Sequence, residues 1–380
     1  MKKIIKISKD VLKFCLKKVG FWPLRKIQGI PKGEVQMFLD TIDKEKIEYV
    51  VIRWFENLPE IEDGEDIDIL VADKDLNKLR KVLKKGKVTD KDFIKCDVYP
   101  ESSQRRHMAY YPPHIAKRIL QKRIKHKSGA WIPCKEHYLL SLAYHALFHK
   151  GFNSGLKTEY SIVQSKKPEH DYENYLKSLI DELNFSNVDI TMEALEDHLK
   201  ERDWLPPLDL YFRLSSVNNW VYRRSLVHVN TNWKWNKGTA VFVIREKGDY
   251  PKIINKTLSL LKERGIKIVD KIELSKQESL YFSQHTRGGD WGNGPYPTSG
   301  GLPKVIIIAK EEVSQDKEER IPQGVVEYEW VSYIKSKIRD EHLRSVKRKD
   351  RCNIIHSTDN GIEASYCIEL LKGMKQNINN

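Results

Sequence analysis

The sequence predicts an α+β protein of two domains, and three observations carry that prediction. Its 380 residues are enough chain for two hydrophobic cores. Between Tyr49 and Pro100, two short apolar runs flank a stretch of helical period. From Thr239 to Leu371, runs rich in β-branched residues alternate with helix-patterned segments. The domains are placed at 35–226 and 238–375, behind a basic segment over 1–34. Charged residues make up 32% of the chain and hydrophobic residues 40%, the balance of a soluble globular protein. No run nears the ~20 apolar residues of a membrane span, and no apolar stretch ahead of a cleavage site suggests export. The five scattered cysteines, Cys15, Cys96, Cys134, Cys352 and Cys367, lack the spacing of a zinc site or a disulfide framework, so a reducing cytoplasm is expected.

At the start of the chain, Ile4, Ile5, Val11, Leu12, Cys15, Leu16 and Val19 share one face of a helical wheel, and Lys6, Lys9, Lys13 and Lys17 share the other. With Phe21 and Trp22 just beyond, residues 1–22 suit either an anionic membrane surface at the inner face or a helix docked on its own domain. The net charge of +14 invites a nucleic-acid partner. The lysines are spread along the whole chain without an RNA-binding or helix-turn-helix signature, however, so the surface is read as suited to anionic nucleotides.

Val35, Phe38, Leu39 and Ile42 repeat at helical spacing and lead into a strand over Tyr49–Arg53. The next strand, around Asp66-Ile67-Asp68-Ile69-Leu70-Val71, carries two carboxylates two positions apart. Strand residues i and i+2 share a face, so Asp66 and Asp68 are expected side by side, with Ile67, Ile69 and Val71 buried opposite. Two close carboxylates repel unless a cation sits between them, which makes the pair either a ledge for Mg²⁺ or Mn²⁺ or two solvated acids at a strand end. Leu76, Leu79, Val82 and Leu83 then mark a helix, and Phe93–Pro100 a further strand carrying Asp97.

The order of these elements, with the form R-x-x-E-N-L-P…G-x-D-I-D-I-L-V, resembles the palm of the nucleotidyltransferase superfamily, specifically its small bacterial members with unassigned substrates. The resemblance implies that Asp66 and Asp68 hold the metals and that Asp97 completes the site and helps to activate an acceptor hydroxyl. A Gly-Ser pair usual in that family reads Ile52-Arg53-Trp54 here. Arg53 offers a guanidinium fork to a nucleotide phosphate, or pairs with Glu56 or Asp66.

Beyond Asp97 come Arg105, Arg106 and His107, then a basic helix through Lys117, Arg118, Lys122 and Arg123, read as either anion-binding or a solvated face. Trp131–His137 opens a helix reaching Lys150, buried through Leu139, Leu142, Ala143, Ala146 and Leu147. His145 and His149 share one side of it, and without a third ligand they are read as packing or pocket residues. This helix resembles the one behind the palm in the same family. Residues 151–224 read as a helical appendage broken at Trp204-Leu205-Pro206-Pro207, with no chemistry apparent, and 227–238 as a linker.

In the second domain the expected elements are a strand at Thr239–Arg245, a helix at Pro251–Arg264 closed by Gly265 and a strand at Ile266–Leu274. A helix at Lys276–Thr286 and strands at Lys304–Lys310 and Cys352–His356 follow, then a helix at Ile362–Leu371. That order is compatible with a β-α-β-β-α-β arrangement of ferredoxin-like type. The segments A-V-F-V-I-R, Y-P-T-S-G-G, K-I-R-D and Arg351-Cys352-Asn353-Ile354-Ile355-His356-Ser357-Thr358-Asp359 resemble the motifs of nucleoside diphosphate kinase, in order. The resemblance implies a nucleophile at His356, a phosphate-binding arginine at Arg339, a sugar-contacting asparagine at Asn353 and Arg245 in place of the active-site lysine. A carboxylate that orients the histidine in that family falls at Cys367 or Ile368.

Together the resemblances imply a metal-dependent transferase that moves a nucleoside monophosphate from an NTP to a hydroxyl or phosphate acceptor, a small molecule or glycan, with Mg²⁺ or Mn²⁺ as cofactor. The alternatives are a phosphotransferase working through His356 and a nucleotide-responsive binding protein, either of them compatible with an oligomer.

Overall fold

Val35, Phe38, Leu39 and Ile42, spaced as a helix requires, are all buried on one face of the helix they form. The computed structural model describes residues 26–87, 92–101, 110–159, 168–185, 188–231, 235–286, 298–312 and 326–377. The expected N-terminal amphipathic helix and the Arg105-Arg106-His107 run lie outside them. The chain divides into two compact units, 1–99 with 123–133, and 100–122 with 134–380.

The first unit runs β1 (Lys26–Pro31), α1 (Val35–Lys44), β2 (Tyr49–Val51), β3 (Ile67–Val71), α2 (Leu76–Val82), β4 (Lys84–Lys87) and β5 (Phe93–Pro100). Its sheet has the order β2-β3-β5-β1-β4. Antiparallel pairing sets Val51 against Ile69, and Gly29 of β1 against Lys95 of β5. The edge strand β4 reads Lys-Lys-Gly-Lys, and charge of that kind discourages pairing with another chain. A hairpin, β6 (Arg123–Lys125) and β7 (Trp131–Pro133), belongs to the same unit, and Lys125 Nζ lies 4.3 Å from the centre of the Trp131 ring. Two expectations change here. The strand from Tyr49 stops at Val51, although Ile52 N–H still donates to Asp68 O at 3.0 Å, and the chain turns at Trp54, whose φ is +55°. The basic helix ends at Gln121, and Arg123 begins the hairpin instead.

The second unit opens with α3 (Pro113–Gln121), α4 (Lys135–Tyr144), a π-helical turn (His145–Lys150), α5 (Tyr172–Glu182), α6 (Met192–Glu201), α7 (Leu208–Ser215) and α8 (Asn219–Thr231). Asp171 and Thr191 accept backbone N–H groups at the starts of α5 and α6, the reason these short polar helices begin where they do. The helix expected from Trp131 starts four residues later, since Trp131–Pro133 pairs in β7. The expected linker over 227–238 is helical as far as Thr231.

There follow β8 (Thr239–Arg245), α9 (Tyr250–Glu263), β9 (Lys267–Glu273), α10 (Lys276–His285), β10 (Thr298–Ser299), β11 (Pro303–Lys310), α11 (Glu329–Ser345), β12 (Cys352–Asn353), β13 (Ile355–Ser357) and α12 (Gly361–Asn377). The sheet order is β13-β8-β11-β9, every neighbour antiparallel. Strand alternation divides β8 between two cores: Ala240, Phe242 and Ile244 pack with α9 and α11, while Val241 and Val243 pack with α10 and α12. A strand covered on both faces reads as a continuous apolar run, as A-V-F-V-I does. Each fully buried side chain of the size of Phe242 contributes about 1.5–3 kcal/mol.

Leu208 and Phe212 of α7 cluster with Ile362 of α12, and Arg213 Nη2 donates to Asp359 Oδ2 at 2.7 Å. The helices over 172–231 therefore share a unit with the C-terminal sheet rather than with residues 26–99.

Candidate active site

Three carboxylates of the first unit gather on two neighbouring strands. Asp68 lies within β3, Asp66 one residue before it and Asp97 in β5, the strand alongside. Lys95, two residues before Asp97 and so on the same face of β5, places its Nζ 2.9 Å from Asp97 Oδ2 and in contact with Asp66 Oδ2. Arg53 Nη2 sits 2.8 Å from Asp68 Oδ2, both side chains nearly buried, and Tyr99 Oη donates to Asp68 Oδ1 at 2.9 Å. Asp68 is buried with the rest of β3, whereas the Asp66 side chain, one residue ahead of the strand, is 37% exposed. Arg53 thus pairs with Asp68.

The electrostatics follow from burial. Loss of water raises the Asp68 pKa above the ordinary carboxylate range, against the pull of Arg53 and the Tyr99 hydrogen bond. Burial and the Asp68 charge push the Tyr99 hydroxyl well up, so it remains a donor. Burial works against the Lys95 ammonium, but its hydrogen bonds to Asp66 and Asp97 prevail and raise its pKa.

Lys95 Nζ marks a point on which Asp66 and Asp97 converge. No group of three or more His, Cys, Asp or Glu side chains with metal-holding geometry occurs among the described residues. Mg²⁺, however, is usually held by one or two carboxylates with water and phosphate oxygens completing the shell, and this donor set fits that arrangement once Lys95 turns aside. Lys95 and Tyr99 are missed by sequence reasoning, although the period-2 spacing of Lys95, Asp97 and Tyr99 could have found them.

A stability test follows from Asp68. A carboxyl whose pKa is raised on folding contributes stability that is full below about pH 4 and is lost as pH rises through the folded pKa. Asp68→Asn removes that titration. Its melting temperature should gain on the wild type as pH is raised from about 4 to about 7; parallel curves would contradict the assignment.

The second cluster lies in the C-terminal sheet. His356 stands opposite Val243 of β8, and partners in an antiparallel pair share a face, so His356 takes the α10 and α12 side. Arg245, two residues beyond Val243, takes the same side and is 1% exposed. Asn353 is buried in β12, its Oδ1 without a hydrogen-bond partner among the described residues. A Cβ on Gly300 would meet Asn353 O at 2.0 Å, so only glycine allows that strand to lie against β12. Arg339 Nε and Nη2 donate to Ile355 O at 3.0 and 2.7 Å, which ties this expected phosphate ligand to the main chain beside His356. Cys367 is buried on the His356 side of the sheet.

His145 and His149 lie on the π-helical turn. His145 Nδ1 bonds Tyr110 Oη at 2.6 Å and its Nε2 bonds Tyr172 Oη at 3.1 Å, while His149 Nε2 donates to Tyr110 O at 2.8 Å. The four described cysteines are free thiols, and no described helix is long and apolar enough to cross a membrane. Compared with protein-family models, with curated proteins and with solved structures, the chain gives no match, and its functional reading rests on the geometry of the two clusters.

Proposed function

We propose that the first unit is a metal-dependent nucleotidyltransferase, moving a nucleoside monophosphate from an NTP to a hydroxyl or phosphate acceptor and releasing pyrophosphate. The observation that carries this reading is the convergence of Asp66 and Asp97 on one cationic nitrogen, with Asp68 held beside them by Arg53 and Tyr99. Mg²⁺ or Mn²⁺ held by Asp66 and Asp97, with Asp68 beside them, would neutralise the charge on the transferring phosphoryl group. The chain's own part is positional and electrostatic. Arg53 fixes the orientation of Asp68, Asp97 takes the proton of the acceptor, and Lys95, once released from the carboxylates, turns its charge to the phosphates. The test is pyrophosphate release from NTP with an acceptor pool, dependent on Mg²⁺ or Mn²⁺ and abolished by chelation. Release that persists under chelation would overturn the metal assignment.

A second reading is favoured by one observation: His356 and Arg245 share a face at the end of β8. The order β13-β8-β11-β9 supports a split β-α-β-β-α-β domain of ferredoxin-like, nucleoside diphosphate kinase type. There a neutral imidazole would accept a γ-phosphoryl group while Arg245 balances its charge. Acid-labile label from γ-labelled NTP, lost in His356→Asn, supports it; label retained in that variant rejects it. The basic segment 1–22 fits work at the cytoplasmic face of a membrane, where acceptors for surface-glycan assembly are found.

A further inference from the structure

The three carboxylates of the first unit are offered to solvent unequally, and the inequality bears on how many metal ions they can hold. Side-chain exposure falls from 37% at Asp66 to 21% at Asp97 and 9% at Asp68. Mg²⁺ keeps several of its waters and binds one or two carboxylates beside substrate phosphates, so it takes oxygens that reach solvent. Asp66 and Asp97 meet that condition, and Asp68 does not.

Both oxygens of Asp68 are engaged as well. Oδ2 pairs with Arg53 Nη2 at 2.8 Å, and Oδ1 accepts from Tyr99 Oη at 2.9 Å. The Arg53 side chain is only 8% exposed, so turning Asp68 toward an ion would leave a buried guanidinium without its carboxylate. Breaking a buried pair from one side is far more costly than breaking a surface pair.

The two more exposed carboxylates meet at a single point. Lys95 Nζ lies 2.9 Å from Asp97 Oδ2 and in contact with Asp66 Oδ2, and the neighbouring strands β3 and β5 bring the three side chains together. An ion entering there displaces the ammonium, but Lys95 stays tethered to β5 beside it. Where two ions serve phosphoryl transfer, they stabilise the attacking and the leaving oxygens between them. A tethered ammonium turned to the phosphates supplies charge of the same sign without needing ligands of its own.

We infer that this site works with one divalent cation held by Asp66 and Asp97, with the Lys95 ammonium in place of a second ion. Asp68 is then a positioning residue that anchors Arg53, and not a metal ligand as the sequence resemblance implies. This rests on the reading of the first unit as a nucleotidyltransferase, to which it adds the number of ions and the division of roles among the acids.

Electron paramagnetic resonance of Mn²⁺ on the full chain tests it, with and without a non-hydrolysable NTP analogue, alongside pyrophosphate release from NTP. The Asp66→Asn, Asp97→Asn double variant serves as the blank. Above that blank the wild type should bind one Mn²⁺ per chain, with the analogue as without it. Asp68→Asn should keep this ion with its affinity changed less than about threefold, although transfer falls. At saturating Mn²⁺, Lys95→Met should bind the analogue about tenfold more weakly while its affinity for Mn²⁺ rises, opposite shifts that a merely structural lysine would not produce. Lys95→Arg, which keeps the charge, should restore analogue binding. The wild-type count and the Lys95 variants stand as the test even if Asp68→Asn unfolds. Two ions per chain with pyrophosphate release intact would overturn the single-ion assignment and leave nucleotidyl transfer standing. Loss of the ion in folded Asp68→Asn, or analogue binding unchanged in Lys95→Met, would overturn the roles given to those residues. No ion above the blank would overturn the single-ion site and nucleotidyl transfer together.

Discussion

Asp97→Asn and Asp68→Asn should each lower nucleotidyl transfer by about 10³-fold or more while the protein stays folded. The size follows from the chemistry: removing a carboxylate from a cation site costs several kcal/mol of transition-state stabilisation, and about 4 kcal/mol is a thousandfold in rate. Retention of the fold follows from the environment of each residue. The Asp97 side chain is 21% exposed, so a neutral amide of the same shape is tolerated there; at Asp68 the amide leaves the buried Arg53 guanidinium without its carboxylate, so that variant loses stability without unfolding. Lys95→Met should act in the opposite sense on metal binding. Its ammonium competes for the oxygens that a divalent cation would take, so Mn²⁺ affinity measured by electron paramagnetic resonance should rise. Transfer unimpaired in a folded Asp97→Asn protein would contradict the proposed role of the cluster, and so would Mn²⁺ binding unchanged by Lys95→Met.

Arg213→Met should destabilise the second unit by about 3 kcal/mol, read as a lower urea midpoint without loss of secondary structure. Asp359 has no exposed side-chain surface, and its strongest cation is Arg213 at 2.7 Å; Lys335 Nζ lies at 3.6 Å. Removing one partner of a buried pair leaves the other charge without its compensation, which costs more than the pair contributed. The backbone around Asp359 feels the change as well. Its N–H donates to Glu363 Oε2 at 2.7 Å, and Asn360 donates to the same carboxylate, so this turn sets the start of α12 behind the His356 strand. A shift below about 0.5 kcal/mol would show that α7 and this turn do not share the ion pair.

Both results depend on contacts that differ in how far the sequence reveals them. β3, β5, β8 and β11 are legible because their β-branched runs are bounded by Gly, Pro and charged turns, and α9 because Gly265 ends it at φ +68°. Helix α11 is not assigned from the sequence, although Trp330, Ile334 and Ile338 stand at i, i+4 and i+8 and are all buried. The extension of α8 into the expected linker is hidden by the Asn and Trp content of 227–238, since local composition favours a turn there.

In the first cluster the acids are legible and their counter-charges are not. Asp66 and Asp68 stand out as a pair, but the pairing of Arg53 with Asp68 depends on how the chain turns after β2, and the reach of Lys95 depends on β3 and β5 being neighbours. Neither is a local property. A cavity beside α6 is less legible still. His114, Tyr211 and Tyr366 come from separate helices and Asp203 from the turn after α6, and no spacing among them forms a motif.

The decisive experiment incubates the protein and Mg²⁺ or Mn²⁺ with α-labelled and γ-labelled NTPs in parallel, beside a pool of hydroxyl and phosphate acceptors. Nucleotidyl transfer at the Asp66, Asp68 and Asp97 cluster predicts α label in an acceptor product and γ label in pyrophosphate, both lost in Asp97→Asn. Label passing only from the γ position, onto the protein or the acceptor, would contradict it and move the chemistry to His356.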